Sequence, residues 1–415
     1  MTSRTCVLAG ILIAAGIGCS REAAAPAAAP AAAAPPPWTL TIQPLELASA
    51  ASSSQSQLTT SSRGTLVSWV EQEDQSILKF SELTAQGWSE PRVAGSGADW
   101  FVTDADTPAV IRLSSGALVA DWMQSSSDEF EASNLRLSYS TDEAKTWSRS
   151  FLPHRDGTIT QHAFATLFEM PDKGLGVVWL DGRQTVKDRE HGPMSLRFAS
   201  FDGQWKQRAD AAIDTKVCDC CTTSVAITPD GPVTVYRDRT DNEIRDIYVS
   251  RFESGKWTPG VAVHDDGWKI NACPVNGPAV SAVGRNVAVA WFTTLNDEGR
   301  AFAALSTDGG RTWGNPIRLD EAGALGHVDI EMLDDGSAVA TWEEFANQRG
   351  QFRTRRVEAA GATSPAIVIA GAANGRVSGV PRLARSGDQL VFAWTEAPER
   401  GGLGRVKTAR ATLPH

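Results

Sequence analysis

Tyrosine is scarce in this chain. Its 415 residues include 14 tryptophans but only three tyrosines, Tyr139, Tyr236 and Tyr248, so no phenol stands beyond residue 248. There is no run of lysine and arginine, and a formal net charge of −10 argues against a nucleic-acid partner. Beyond the N-terminal segment, no stretch is long and apolar enough to cross a bilayer as a helix. Cysteine is sparse as well, with six residues in all.

What the chain does have is an aromatic residue at a regular interval. Trp69, Trp122, Trp179, Tyr236, Trp291, Trp342 and Trp394 follow one another at gaps of 53, 57, 57, 55, 51 and 52 residues. A period of about 50 residues marks a repeat whose unit is one supersecondary element. Each unit reads as four short strands. In the fifth, Pro278–Ser281, Asn286–Phe292 and Ala301–Leu305 are followed by a turn at Thr307–Gly310 and a last run from Trp313 to Leu319. Short runs broken by Gly, Asp and Asn are antiparallel strands joined by tight turns. The second strands are almost continuously apolar, as expected where both faces are buried between neighbouring sheets. The expected fold is therefore all-β: a seven-bladed β-propeller of four-stranded antiparallel blades.

Six further tryptophans, Trp38, Trp88, Trp147, Trp205, Trp257 and Trp313, open fourth strands. Trp38 does so at the wrong end of the chain. Residues 38–47 are therefore expected to complete the last blade, closing the ring and removing an exposed sheet edge. Only Trp100 and Trp268 lack a place in the repeat.

Residues 1–18 carry one charge, Arg4, and an apolar stretch from Val7 to Ile17, the pattern of a secretory signal. Gly16-Ile17-Gly18-Cys19 resembles the lipobox of bacterial lipoproteins, which implies acylation of Cys19. Residues 22–37 are an Ala/Pro spacer, so 19–37 would form a lipidated tether holding the propeller, 38–415, at a membrane. The expected location is the bacterial outer membrane, on its periplasmic or surface side, as a monomer.

In a blade, the start of the first strand and the end of the second lie at the same end of the sheet. Those ends meet around the central channel, and here they are polar. Asp106, His162, Cys220, Cys221, Asn276, His327, Asp329 and Arg382 stand at first-strand starts, with Glu71, Asp181, Arg183, Arg237, Asp238, Arg239 and Glu344 at second-strand ends. Blades 3 and 4 concentrate charge, adding Arg245 from the next loop. Such a sector is either a binding site or a lattice of ion pairs.

Four cysteines remain in the propeller: Cys218, Cys220, Cys221 and Cys273. In an oxidising compartment two disulfides are expected, and pairing Cys218 with Cys221 and Cys220 with Cys273 avoids an adjacent bridge. The alternative is a thiolate site for copper or zinc, with His162 as a further ligand.

Ser306-Thr307-Asp308-Gly309-Gly310-Arg311-Thr312-Trp313 resembles the Asp-box, or BNR repeat, of sialidases. Ser140–Trp147 is a second copy with Ala144 in place of Gly, and Ser200–Trp205 a shortened one. The resemblance implies a sialidase-like propeller with these turns at the end away from any site. Sialidases have six blades, an arginine triad, an Asp acid/base and a Tyr nucleophile. This chain reads as seven blades, lacks the F/Y-R-I-P signature and has no late Tyr. The leading expectation is binding of a glycan or another anionic ligand at the channel mouth, with Arg183, Arg237, Arg239, Arg245 and His162 as charge and Trp100 and Trp268 as stacking surfaces. The alternatives are a glycoside hydrolase drawing a carboxylate pair from Asp106, Asp181 and Asp238, and a metal or redox centre at the cysteines.

Overall fold

The computed structural model describes residues 38–103, 105–129, 131–187, 192–372, 379–396 and 404–414. The expected signal, tether and Cys19 lie outside them. Seven antiparallel sheets follow one another along the chain and form the seven blades of a propeller. Blade 3 shows the pattern in full: His162–Glu169, Leu175–Asp181, Met194–Phe201 and Gln207–Val217 pair in that order from the channel outwards. Blade 2 is the plainest, with Val110–Arg112, Leu118–Ser125 and Ser133–Ser140 as strands and a single Leu137–Phe151 bridge in place of the fourth.

Ring closure is as the position of Trp38 suggested, though shorter. Gln43–Leu45 pairs antiparallel with the C-terminal strand Arg405–Thr412, Gln43 facing Arg410. Blade 7 thus takes its outer strand from the N-terminal side of the domain.

The repeated aromatics are interior. Trp69, Trp179, Trp291, Trp342 and Tyr236 are almost wholly buried. A buried indole N–H needs an acceptor, and three blades solve this identically. Trp69 donates to Glu71 at 2.9 Å, Trp179 to Asp181 at 2.8 Å and Trp342 to Glu344 at 2.8 Å, each time two residues on. Blade 4 substitutes a phenol, Tyr236, which donates to Asp214 in the last strand of blade 3 at 2.7 Å.

The turns at Asp308 and Asp142 share one geometry. Each carboxylate accepts the Ser hydroxyl two residues before it and both the N–H and hydroxyl of the Thr four residues after it. This holds both carboxyls below the usual range, Asp142 at about 2. The Trp ending the turn ties blades together: Trp147 donates to Val93 O of blade 1 and meets Phe80 edge-on.

Candidate functional site

A narrow channel runs down the axis. Its cavity of 170 Å³ is lined by first strands of all seven blades. Neighbouring first strands are stapled by side chains reaching the next blade's backbone. Asp106 accepts Phe164 N–H at 3.1 Å, Asn276 accepts His327 N–H at 2.8 Å and Asp329 accepts Leu383 N–H at 2.9 Å. Burial nevertheless pushes the Asp106 carboxyl up to about 6. Arg382 reaches past blade 1 to donate to Thr107 at 2.9 Å, and Asp106 and Asp329 supply the neighbouring negative charge.

The first strands bend as they reach the mouth. Blades 1, 3 and 6 each carry a bulge there, at Gln55, Phe164 and His327, with φ of 55°, 55° and 50°. Non-glycine residues adopt this region at a cost and mark a position held by its surroundings. In blade 3 the bulge sits just after His162, which pairs with Asp181 across the first two strands. Gly182 then lets the chain pass close to the segment before His162, because a Cβ there would lie 3.0 Å from Gln161 O.

This places a cluster above blade 3. Asp181 is fully buried and receives the Trp179 indole, the Arg183 N–H at 3.0 Å and two guanidinium N–H groups of Arg183 at 2.7 Å. His162 lies 3.8 Å from Asp181 Oδ2 and 3.2 Å from Asp156 Oδ1, while its Nδ1 approaches Ser133 O at 2.9 Å. The ring of His154 stacks on that of His162 at 3.7 Å. Arg183 also approaches Asp156, at 3.4 Å, and keeps 19% of its side chain exposed. The loops that carry Asp156 and Arg183 each expose one apolar side chain, Ile159 and Val186.

His154 and Asp156 were not among the residues singled out from the sequence. The signal available was scarcity: the chain has six His, and two of them fall within nine residues of each other. Only the fold of the loop between blades 2 and 3 brings the first onto the second.

Over blade 4 the arginines are enclosed. All three guanidinium nitrogens of Arg237 donate to backbone carbonyls, Asn276 O, Arg245 O and Phe292 O at 2.6–2.9 Å, and the group lies on the Trp268 ring. Arg239 grips Glu243 and Asp219, and Arg245 donates to Glu243 and to Cys218 Sγ. Trp268 is 8% exposed between Arg237 and Phe292, so neither face is open for stacking. Trp100 stacks on Trp122 at 5.1 Å and is half-buried. Asp238 keeps separate company: burial first, then Asp214, pushes its carboxyl up to about 7. Asp106, Asp181 and Asp238 therefore each answer to a different set of partners.

The sulfurs form one cluster. Cys220 and Cys273 are bonded, tying the segments before the first strands of blades 4 and 5. Cys218 and Cys221 are buried free thiols with sulfurs 2.7 Å apart. The expected pairing is half realised, and the bonded pair removes Cys220 and Cys273 from a thiolate metal site. His162 lies instead with His154 and Asp156.

No family model and no curated protein matches the chain. Solved structures do. The polysaccharide lyase Uly1 aligns with a TM-score of 0.54 at 10% identity, over 89% of this chain and 92% of its own. The phage phi92 endosialidase aligns with 0.51 at 9% identity, over 91% of this chain and 70% of its own. The NanB sialidase from Streptococcus pneumoniae aligns more loosely, with 0.45 at 10% identity over 83% of each chain. At these identities the likeness shows the fold alone: the chain is a β-propeller, similar in fold to the lyase and the endosialidase.

Proposed function

We propose that the protein binds an anionic glycan at its channel mouth, over blade 3. The observation that carries this reading is the state of Arg183. It is held in place by Asp181 through Nε and Nη2, yet alone among the four expected arginines it keeps 19% of its side chain open, in a sector whose loops also expose Ile159 and Val186. An open guanidinium edge suits a sugar carboxylate. Two propellers similar in fold are a polysaccharide lyase and an endosialidase, which supports the same ligand class. Export and anchoring through Cys19 belong to this proposal, resting on residues 1–37; incorporation of labelled palmitate that persists in Cys19→Ser would refute them.

The test is a screen of sialylated and uronate-containing oligosaccharides, followed by titration of the best ligand. Arg183→Ala should weaken binding about tenfold or more, the loss of a charge-assisted contact of about 1.5–3 kcal/mol. Unchanged affinity would sink the reading.

A second reading, glycoside hydrolysis, draws on Asp238. Its carboxyl is half protonated near neutral pH, the state a general acid needs. Turnover of an aryl glycoside abolished in Asp238→Asn, with ligand affinity retained, would establish it over simple binding.

A further inference from the structure

Four sulfurs meet ahead of the first strands of blades 4 and 5, and only two of them are bonded. The Cys220–Cys273 disulfide closes a span of 53 residues. Cys218 and Cys221 lie beside it as thiols, 2.7 Å apart, and the sulfurs of Cys218, Cys220 and Cys221 all fall within 4.8 Å of one another. The two pairs differ in access. Cys218 and Cys221 are 1% and 2% exposed, whereas Cys220 is half-buried and Cys273 is exposed.

The surroundings favour an anion on Cys218. Arg245 Nη1 donates to its Sγ at 3.5 Å. Arg237, whose carbonyl accepts the Cys218 N–H at 3.0 Å, brings a second buried positive charge. Burial opposes ionisation of Cys218, but the Cys221 hydrogen bond and the two arginines outweigh it and bring this thiol below its usual value. Burial pushes Cys221 the other way, well up, so the pair holds one thiolate and one thiol. Two guanidinium groups beside the sulfurs also repel a metal cation. A thiolate close to a disulfide has another use, because it is the form that attacks a disulfide sulfur.

We infer that the four cysteines form a thiol–disulfide relay, which carries two electrons from the buried Cys218–Cys221 pair to exposed Cys273 for delivery to a disulfide-bearing substrate. The Cys218 thiolate attacks Cys220 Sγ. The Cys218–Cys220 bond forms, the Cys220–Cys273 bond breaks and Cys273 leaves as a thiolate. Cys221 then attacks Cys218 Sγ, and its proton goes to the departing Cys220. One disulfide, one thiol and one thiolate stand on each side of this exchange, so it needs no outside oxidant. Attack by Cys221 on Cys220 would join adjacent residues in a strained bridge, which leaves Cys218 as the nucleophile. The freed Cys220 and Cys273 reduce one substrate disulfide to two thiols and regain their own bond. A dithiol donor resets the buried pair. Nothing in this relay depends on the glycan reading.

The experiment traps the exposed end. The full chain is held at mildly alkaline pH with iodoacetamide and no redox reagent, quenched in acid and unfolded, and its alkylated cysteines are located by mass spectrometry. Label is expected on Cys273 and Cys220 together with a Cys218–Cys221 disulfide, at a rate independent of protein concentration. Cys218→Ser should slow labelling of Cys273 at least about tenfold. Cys221→Ser should keep that labelling and hold Cys218 bonded to Cys220. This second variant retains the nucleophile, so it decides the matter if Cys218→Ser fails to fold. Label confined to Cys218 and Cys221 with the Cys220–Cys273 bond intact, or no label on Cys273 at all, overturns the relay. So does equally fast labelling of Cys273 in Cys218→Ser, or a Cys221→Ser chain without the Cys218–Cys220 bond.

Discussion

Arg183 and Arg237 stand at matching places, just past and at the end of the second strands of adjacent blades. Arg237 is nearly inaccessible and its donors end on three backbone carbonyls, so its charge closes the blade 4–blade 5 junction from within. Arg183 meets only carboxylates among its charged partners and stays partly open. The same residue type on the same repeat is mortar in one blade and an available charge in the next. What separates them is whether backbone acceptors converge on the guanidinium.

The largest effect should come from breaking the mortar. Arg237→Ala takes donors from three buried carbonyls, each costing about 1–3 kcal/mol when left unpaired, so the largest loss is expected here, read as a lower denaturant midpoint. A shift no larger than that of a surface arginine would erase the contrast between the blades.

The next effect depends on pH. The Asp238 carboxyl is raised in the folded chain to about 7, so folding takes up a proton between the unfolded value and that pH. Burying the charged form costs stability, and the cost appears as pH rises through about 7. Asp238→Asn should therefore be more stable than the parent at pH 8 and indistinguishable at pH 4, as judged by unfolding at both. Equal stability of the two proteins at pH 8 would count against the buried carboxyl.

A smaller loss of stability should come at Arg183. Arg183→Ala removes two charge-assisted hydrogen bonds from the buried Asp181, which keeps the Trp179 indole and the backbone N–H of residue 183. A loss of about 1.5–3 kcal/mol is expected, set against the loss of ligand binding proposed above. A fourth substitution sharpens the comparison of mouth and rear. Ala144 sits at φ 60° where the matching turn has Gly310 at 79°. Ala144→Gly should gain about 1 kcal/mol by relieving the left-handed strain, with no change at the mouth.

The propeller was legible because its signals are periodic. Tryptophans on second strands, turn residues between strands and a stray fourth strand at Trp38 all point to one ring. The mouth was legible in composition only. Sequence placed Asp181, Arg183, Arg237 and Arg239 at one end, but not their partners, since those come from loops and from the neighbouring blade. Asp181 reads as a candidate acid until Glu71 and Glu344 are seen doing the same job for their own tryptophans. His154 and Asp156 belong to no strand, so no period could flag them.

The clasp between Gln43–Leu45 and Arg405–Thr412 sets a clock on folding. The strand that completes blade 7 is synthesised first and its partner last. At about 10 residues per second the early segment waits roughly half a minute before Arg410 exists to pair with Gln43. Until then six blades can stack, but the circle stands open, with blade 1 lacking its neighbour on one side. Whatever binds at the mouth can meet a finished rim only after the final strand arrives, so loss of a few residues near position 410 would undo a ring built almost entirely before them.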